Sequence, residues 1–190
     1  MHVTSASVND YKIKKIVLWV GNFDYGVKRP DNMLRIWKMI EEHCPDWELY
    51  MLGDGPSYDI CKRMSRELEL KNVRFLGRLN PDKYYHEAQI LCLTSVHECF
   101  PMVLLEGMHN GLALLAFDSF TSASLLVKEF QNGKLITPFD IEQYAKELIN
   151  VIKDEDIRKY FQQQSKLAAE MFNEDQIYYK WIQVINDIKS

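Results

Sequence analysis

The sequence lacks the features of a membrane-spanning, nucleic-acid-binding or disordered chain. Its longest apolar runs, such as residues 112–117, are far shorter than the roughly 20 residues that cross a bilayer. The 23 basic and 27 acidic side chains give a net charge of -4, which excludes the footprint of a nucleic-acid binder or a polybasic membrane patch. Eight glycines and six prolines are too few for a fibrous or disordered chain. We therefore expect one soluble globular domain with no nucleic-acid partner.

Cysteine is also scarce, and its spacing argues against a metal site. No C-x-x-C pair occurs, and a zinc site would have to join His97 and His109 to the last two cysteines, unlike zinc fingers or ribbons. Reduced thiols in a cytosolic compartment are the simpler interpretation. The four cysteines are Cys44, Cys61, Cys92 and Cys99.

The first ten residues have neither the positive start nor the apolar stretch of a signal peptide, so we expect a leader or linker over residues 1–14.

From residue 16 onward, short apolar runs alternate with longer stretches of helical period. The run at 16–20 is continuous and rich in β-branched residues, as in a strand covered on both faces, and it stops at Gly21. This alternation is typical of strand-helix-strand units around a mostly parallel sheet, an α/β fold class. From residue 141 the pattern is helical only, over 141–153, 156–171 and 174–188. Further strands are predicted at 47–52, 73–76, 90–94, 113–117 and 134–136, and helices at 30–44, 57–70 and 122–130 among others.

The loops that follow the strands are the expected place for a site, because open parallel sheets bind ligands beyond the carboxyl ends of their strands. These loops hold more charged side chains than ordinary connectors do. A ligand site at this edge is therefore predicted from the residues alone. The loops are 22–29, 53–56, 77–80, 95–101 and 118–122, and their titratable residues include Asp24, Lys28, Arg29, Asp54, Arg78, His97 and Glu98.

The most informative pattern lies in the segment 95–111, where two glutamates are separated by seven residues. Glu98 falls in a loop and Glu106 on the following helix, so both can face one cavity when the helix N-terminus points into it. The free amides near 100–103 and the positive end of the helix dipole form a seat for a phosphate. A ligand with a phosphate at the helix start and hydroxyl groups at the two carboxylates would be a nucleotide sugar. The residues alone leave open a simpler interpretation, two solvated helix-end carboxylates.

On these residues the sequence resembles the retaining GT-B glycosyltransferases of the large group 1 family, whose C-terminal domain carries a similar E-x7-E segment. The resemblance extends over roughly residues 15–181. It implies a Rossmann-like three-layer α/β/α domain with a mostly parallel sheet over 15–173, the C-terminal half of a GT-B fold. The last helix, 174–190, is expected to pack toward an N-terminal domain that the sequence does not contain. The collinear segments are Gly21 with Lys28, 52–56, 73–78, 88–95, 98–106 and Asn132-Gly133.

The resemblance also implies roles for individual residues. Glu98 would be the catalytic residue at the hydroxyls of the donor sugar, and Glu106 would bind the ribose diol. Lys28 would bind the donor diphosphate, and the main chain around Arg78 would meet the base. The donor is a nucleotide diphosphate sugar, and neither a metal nor a further cofactor is expected. The backbone at the helix start would hold sugar and phosphate through Phe100, Pro101, Met102, Val103 and Leu104.

Three positions depart from the family pattern. Asn22 stands where the family has an arginine that forms a diphosphate clamp with the later lysine, so either Arg29 takes its place or the clamp is weaker. A simpler interpretation than phosphate binding is that Lys28 and Arg29 are two adjacent charges on the protein surface. The loop 119–122 lacks the paired glycines that let a backbone approach the donor, and Cys99 replaces a glycine. These departures leave the donor and the catalytic strength open, but they do not question the fold.

Other polar and aromatic residues near the loops have plainer interpretations. His97 is expected to be a polar loop residue rather than an acid or base. Asp54 lies between two glycines and is expected first to stabilise a turn. Tyr84 and Tyr85 are expected to pack rather than to stack on a base.

The resemblance implies a hexosyltransferase that transfers a sugar, with retention of configuration, to a glycan or lipid-linked acceptor in cell-envelope polysaccharide or lipopolysaccharide synthesis. Since 190 residues contain only the donor half, the chain alone is expected to be incomplete for catalysis. The alternative is a non-catalytic nucleotide-sugar-binding or regulatory module with the same fold. The full-length protein is expected in the cytoplasm, with a peripheral place at the inner face of the membrane as a further expectation.

Overall fold

Six strands form one sheet within residues 13–128 and 131–189, the part of the chain that the computed structural model describes. The strands are β1 (Ile16–Val20), β2 (Glu48–Leu52), β3 (Val73–Gly77), β4 (Ile90–Leu93), β5 (Ala113–Phe117) and β6 (Gly133–Ile136). Their order is β3-β2-β1-β4-β5-β6, and each neighbouring pair is parallel. The direction of winding reverses between β1 and β4, which creates the switch point where doubly wound sheets bind ligands.

Helices connect the strands and cover both faces of the sheet. The helices are α1 (Pro30–Ile40), α2 (Tyr58–Glu67), α3 (Asp82–Glu87), α4 (Met102–His109), α5 (Ala123–Leu126), α6 (Ile141–Lys153), α7 (Glu155–Ala169) and α8 (Glu174–Lys189). Two short 3-10 turns, Glu41–His43 and Glu170–Phe172, follow α1 and α7.

The core consists of two apolar layers on opposite faces of the sheet, because successive strand side chains point to alternate sides. Val17 and Trp19 of β1 are buried in one layer, which includes side chains of α1 and α6. Ile16 and Leu18 are buried in the other layer, which includes side chains of α3 and α4. This arrangement confirms the predicted three-layer α/β/α architecture.

The predicted strands are confirmed to within a residue at each end, whereas one predicted helix is much too long. The sequence predicts a helix over 122–130, but α5 ends at Leu126. The buried Asn132 explains the early end, since its Nδ2 donates to the Leu126 carbonyl and its Oδ1 accepts from Lys128 N–H, both at 2.8 Å. These bonds replace the ones that a continuing helix would make. Residues 129–130 of the expected helix lie outside the described residues.

Other helix ends differ only slightly from expectation. The helix predicted over 30–44 divides into α1 and the 3-10 turn that follows it. The helix predicted over 57–70 is observed as α2, and Ser57, directly before it, makes no side-chain capping bond. Helix α7 begins one residue earlier than expected because the Asp154 carboxylate accepts from Ile157 N–H at 2.9 Å.

Helix α8 exposes apolar side chains along its length. Trp181 is 63% exposed, and the apolar residues on either side of it are exposed as well. Its packing against a further domain stays a prediction. Within 13–128 and 131–189, no helix combines the length and the apolar character needed to cross a membrane. The exposed apolar positions of α8 include Ile177, Trp181, Val184, Ile185 and Ile188.

Candidate functional site

A cleft of about 490 Å³ opens at the carboxyl ends of β1, β2 and β3. Arg78 and Pro81, which follow β3, line one side of this cleft. Asn22 and Asp54, from the loops after β1 and β2, also line it. The cleft therefore lies at the edge of the sheet where the loop sequences predict a site.

Glycines allow the loops after β1 and β2 to lie directly against each other. A Cβ atom at Gly53 would lie 1.8 Å from the carbonyl oxygen of Gly21, and the φ angle of Gly53 is +131°. Gly21 N–H donates to the Leu52 carbonyl at 3.0 Å, and Gly53 N–H donates to the Gly77 carbonyl at 2.9 Å. Since a side chain at position 53 would push the two loops apart, the width of the cleft depends on this contact.

Lys28 and Glu98 form an ion pair beside the cleft. Lys28 Nζ donates to Glu98 Oε1, and Ser95 Oγ donates to the same oxygen at 2.8 Å. The side chains of Lys28 and Glu98 are 18% and 13% exposed. A Cβ atom at Gly21 would lie 3.5 Å from Cγ and Cδ of Lys28, so the lysine stem passes along the glycine that lines the cleft. The structure thus brings together two residues that the sequence assigns to one site.

The loop that carries Lys28 is anchored by Thr94 at the end of β4. Thr94 is fully buried, and its hydroxyl lies 3.0 Å from the carbonyl oxygens of both Lys28 and Arg29, to which it donates. Trp19 Nε1 donates to the Thr94 oxygen at 3.0 Å. The sequence analysis does not predict these hydrogen bonds of Thr94. A threonine at the end of a buried strand could have indicated them, because buried hydroxyl groups are usually hydrogen-bonded.

Arg29 does not join Lys28 in the structure. Its Nε and Nη2 donate to the two carboxylate oxygens of Asp31, each at 2.9 Å, and Nη2 also lies 3.3 Å from Asn32 Oδ1. A guanidinium paired with a carboxylate in this two-pronged way is held firmly. The guanidinium therefore lies at the start of α1, and its part in a diphosphate clamp stays a prediction.

Glu106 lies on α4 and accepts a hydrogen bond from a buried tyrosine of α3. The Tyr85 hydroxyl donates to Glu106 Oε2 at 2.6 Å. Burial, and then the bond to Glu106, raise the pKa of Tyr85. The sequence indicates that Tyr85 packs, and its ring does so, but the partner of its hydroxyl was missed. A buried tyrosine usually finds such a partner, which is the signal that could have pointed to it.

Helix α4 begins at Met102, directly after the extended Pro101. The Leu104 N–H already donates to the Pro101 carbonyl at 3.0 Å, and the Leu104 side chain is buried. The N–H groups at the very start of a helix have no intrahelical partner, so Met102 and Val103 offer the donors that a phosphate needs. The exposed Phe100 ring lies 6.3 Å, centroid to centroid, from that of Phe172.

Other titratable residues of the loops take smaller parts. His97 and Cys99 are exposed on either side of Glu98. Asp54 Oδ1 accepts from Gly55 N–H at 2.8 Å, as expected of a turn residue. In the described ranges, no group of three or more His, Cys, Asp or Glu side chains is arranged to hold a metal ion.

Comparison with known proteins identifies the family. The sequence model of the glycosyl transferases group 1 matches residues 4–168. The chain belongs to this family. Its six-stranded parallel α/β sheet is the one that the sequence predicts for such a protein.

Group 1 relatives match nearly all of this chain but only part of their own length. An uncharacterized glycosyltransferase of Haemophilus influenzae is 30% identical over 169 residues, which cover 88% of this chain and 48% of the relative. The Campylobacter jejuni enzyme named GalNAc-alpha-(1->4)-GalNAc-alpha-(1->3)-diNAcBac-PP-undecaprenol alpha-1,4-N-acetyl-D-galactosaminyltransferase is 27% identical, over 96% of this chain and 51% of that enzyme. The chain therefore spans about half the length of these curated relatives.

A solved structure shows the same fold. TarM of S. aureus, crystallised as a mutant in complex with UDP and other ligands, matches with a TM-score of 0.85 and 20% sequence identity. The match covers 96% of this chain and 37% of the TarM chain. The Rossmann-like half of a GT-B glycosyltransferase is thereby confirmed as the fold.

Proposed function

We propose that this chain is the donor-binding half of a retaining glycosyltransferase that uses a nucleotide diphosphate sugar. The observation that carries the proposal is the ion pair of Lys28 and Glu98 beside the cleft. A lysine and the first-turn amides of α4 can hold a diphosphate, and a carboxylate can accept hydrogen bonds from sugar hydroxyls. The UDP in the TarM complex supports a nucleotide as the ligand.

The cleft and the two glutamates suggest one direction for the bound donor. The base would lie against the main chain around Arg78, in the cleft after β3. Glu106 would accept hydrogen bonds from the ribose diol, and Lys28 with the start of α4 would hold the diphosphate. The sugar would then meet Glu98, which approaches Lys28 in the structure.

The reaction would depend on stabilising a leaving diphosphate. As the bond between the anomeric carbon and the phosphate oxygen breaks, negative charge accumulates on that oxygen. Lys28 and the amides of Met102 and Val103 would stabilise this charge more strongly in the transition state than in the bound donor. Glu98 would hold the sugar in place, and we expect no metal ion in this step.

The acceptor and the remaining half of the enzyme form the second part of the proposal. The acceptor would be a glycan or a lipid-linked saccharide in cell-envelope polysaccharide or lipopolysaccharide synthesis, which the undecaprenol in the name of the C. jejuni relative supports. An N-terminal domain would supply the acceptor site and pack against the exposed apolar face of α8, which includes Trp181. We place the full-length protein in the cytoplasm, with peripheral contact to the inner face of the membrane.

A non-catalytic nucleotide-sugar-binding or regulatory module is the second candidate. Asn22 favours it, because this uncharged side chain lines the cleft where the family resemblance implies an arginine. The pairing of Arg29 with Asp31 leaves Lys28 as the cation that faces Glu98 in this part of the structure. Such a site would bind a donor but would stabilise the leaving diphosphate less.

Calorimetric titration of the wild-type chain with UDP, GDP and their sugars tests donor binding. Saturable binding of one nucleotide supports the proposal, and silence with every nucleotide would overturn it. Transfer is tested on a longer protein that includes the preceding domain, with the configuration of the product read by NMR. An inverted product would contradict retention, and donor binding without transfer would favour the non-catalytic module.

A further inference from the structure

The side chain of Glu106 is fixed at its far end by a residue from another helix. The Tyr85 hydroxyl donates to Glu106 Oε2 at 2.6 Å, and the two residues are 21 positions apart. Tyr85 is only 2% exposed, and its ring lies in the apolar layer that includes Leu18 and Leu104. The packed ring therefore fixes the hydroxyl, and the hydroxyl in turn fixes one oxygen of the carboxylate.

The backbone of Glu106 is also held in place. A Cβ atom at Gly107 would lie 2.5 Å from Leu91 Cδ2, so α4 lies close against the sheet directly after Glu106. The Glu106 carbonyl accepts from Asn110 N–H at 3.1 Å and from Asn110 Nδ2 at 2.9 Å. With both ends fixed, the glutamate has little rotamer freedom left to lose when a ligand binds.

Helix α3 also connects Glu106 to the cleft. The Tyr85 N–H donates to the Pro81 carbonyl at 3.0 Å, and Pro81 lines the cleft together with Arg78. The turn of chain that forms this wall of the cleft therefore also carries the hydroxyl that holds Glu106.

The hydroxyl of Tyr85 does more than packing requires. Phenylalanine would fill the same apolar space, whereas the hydroxyl adds a donor aimed at a half-buried carboxylate. A tyrosine hydroxyl is a neutral donor at physiological pH, and burial together with the bond to Glu106 raises the pKa of Tyr85 further. A carboxylate that accepts one bond at Oε2 keeps lone pairs on both oxygens, enough for two neighbouring hydroxyls.

We propose that Tyr85 is a positioning residue that orients the Glu106 carboxylate toward the ribose diol of the donor. This inference rests on the proposed donor-binding function and adds to it a residue outside the E-x7-E segment. Because the carboxylate is fixed before the donor arrives, binding loses less side-chain entropy than it would with a free glutamate. The positioning acts on the ribose, not on the base or the phosphates.

The experiment compares Tyr85→Phe with Tyr84→Phe in the 190-residue chain. Tyr84 is the next residue on α3, and its ring packs against Tyr50 with centroids 6.2 Å apart, so it is a matched control. Calorimetry measures the affinity of each variant for UDP and 2′-deoxy-UDP, or for GDP and 2′-deoxy-GDP when the wild-type chain binds GDP. Thermal unfolding of each variant shows how much stability the substitution removes.

We expect Tyr85→Phe to weaken binding of the ribonucleotide about fivefold, the order of the cost of immobilising one flexible side chain on binding. Binding of the 2′-deoxy analogue should change less, so the preference for ribose over deoxyribose should fall in Tyr85→Phe and persist in Tyr84→Phe. A lower unfolding temperature with an unchanged ribose preference would overturn the inference and leave Tyr85 a packing residue.

Failure of the proposed function gives a different result. If the wild-type chain binds none of the four nucleotides, donor binding is wrong and the positioning role is wrong with it. If the wild-type chain binds a ribonucleotide and Glu106→Gln weakens it while Tyr85→Phe does not, donor binding stands and only the positioning role is wrong.

Discussion

Lys28 Nζ donates to Glu98 Oε1, which joins two residues that lie 70 positions apart in the sequence. Both side chains are mostly buried, and each compensates the charge of the other. A bound diphosphate would give Lys28 a second anionic partner, and a bound sugar would give Glu98 hydroxyl donors. The pair therefore joins the proposed diphosphate site to the proposed sugar site. Removing Lys28 should affect binding of the diphosphate, and removing Glu98 should affect binding of the sugar.

Replacing Lys28 with alanine should weaken binding of the nucleoside diphosphate. The lysine is the cation expected at the diphosphate, and a charge-assisted hydrogen bond of this kind contributes about tenfold or more to affinity. Calorimetry with UDP and GDP measures the change. The control is Lys38→Ala, which removes an exposed lysine of α1. Equal affinities for wild type, Lys28→Ala and Lys38→Ala would show that Lys28 does not contact the ligand.

Replacing Glu98 with glutamine should affect the affinity for the nucleotide sugar but not the affinity for the nucleotide alone in the same way. The change releases Lys28 from its ion pair, so affinity for UDP or GDP should stay the same or increase. Affinity for the matching nucleotide sugar should fall, because a carboxylate that accepts hydroxyl bonds becomes a neutral amide. The ratio of the two dissociation constants is the measurement, with Glu67→Gln on α2 as the exposed control. A ratio that Glu98→Gln leaves unchanged would remove Glu98 from the sugar site.

Gly53→Ala should destabilise the fold more than Gly77→Ala does. A Cβ atom at Gly53 would lie 1.8 Å from the Gly21 carbonyl oxygen, whereas at Gly77 the nearest such contact is 3.8 Å, to the Tyr58 hydroxyl. Both glycines have positive φ, but the φ of Gly53, +131°, is less accessible to alanine than the φ of Gly77, +70°, so backbone strain and the steric contact act together at Gly53. We expect a loss of about 3 kcal/mol or more for Gly53→Ala and about 1 kcal/mol for Gly77→Ala, measured by urea unfolding. The reverse order would contradict the close approach of the two loops.

Stability should fall at alkaline pH, in part through Cys61. Burial raises the pKa of this thiol from 9.0 to about 11. Because the folded-state pKa is the higher one, the stabilising effect of the neutral thiol is complete below about pH 9 and disappears as the pH rises through about 11. Calorimetric unfolding under reducing conditions should show a melting temperature that falls over this range, and less steeply in Cys61→Ala. Parallel slopes for the two proteins would exclude the contribution of Cys61.

The fold could be predicted largely from local sequence signals. Short, mostly apolar runs mark the strands, the first three of which stop at a glycine, and their alternation with helical stretches predicts a parallel sheet. The end of α5 could not be read in this way, because Asn132 stops the helix from a position six residues beyond Leu126. A side-chain hydrogen bond across a short turn leaves no periodic signal in the sequence.

The candidate site could be predicted residue by residue but not as a set of contacts. The family resemblance implies Lys28, Glu98 and Glu106 as site residues, yet nothing local in the sequence shows that Lys28 meets Glu98. Tyr85 was interpreted as a packing residue because its carboxylate partner lies on another helix. Arg29 shows the reverse case, where a local contact decides the outcome, since Asp31 two positions later takes its guanidinium.

A crystal structure of the wild-type chain with the nucleoside diphosphate that it binds tests the central claim most directly. We predict that the diphosphate lies within hydrogen-bond distance of Lys28 Nζ and of the Met102 and Val103 amides, with the ribose at Glu106 and the base beside Arg78. A nucleotide bound with its diphosphate away from Lys28 and from the start of α4 would contradict the account.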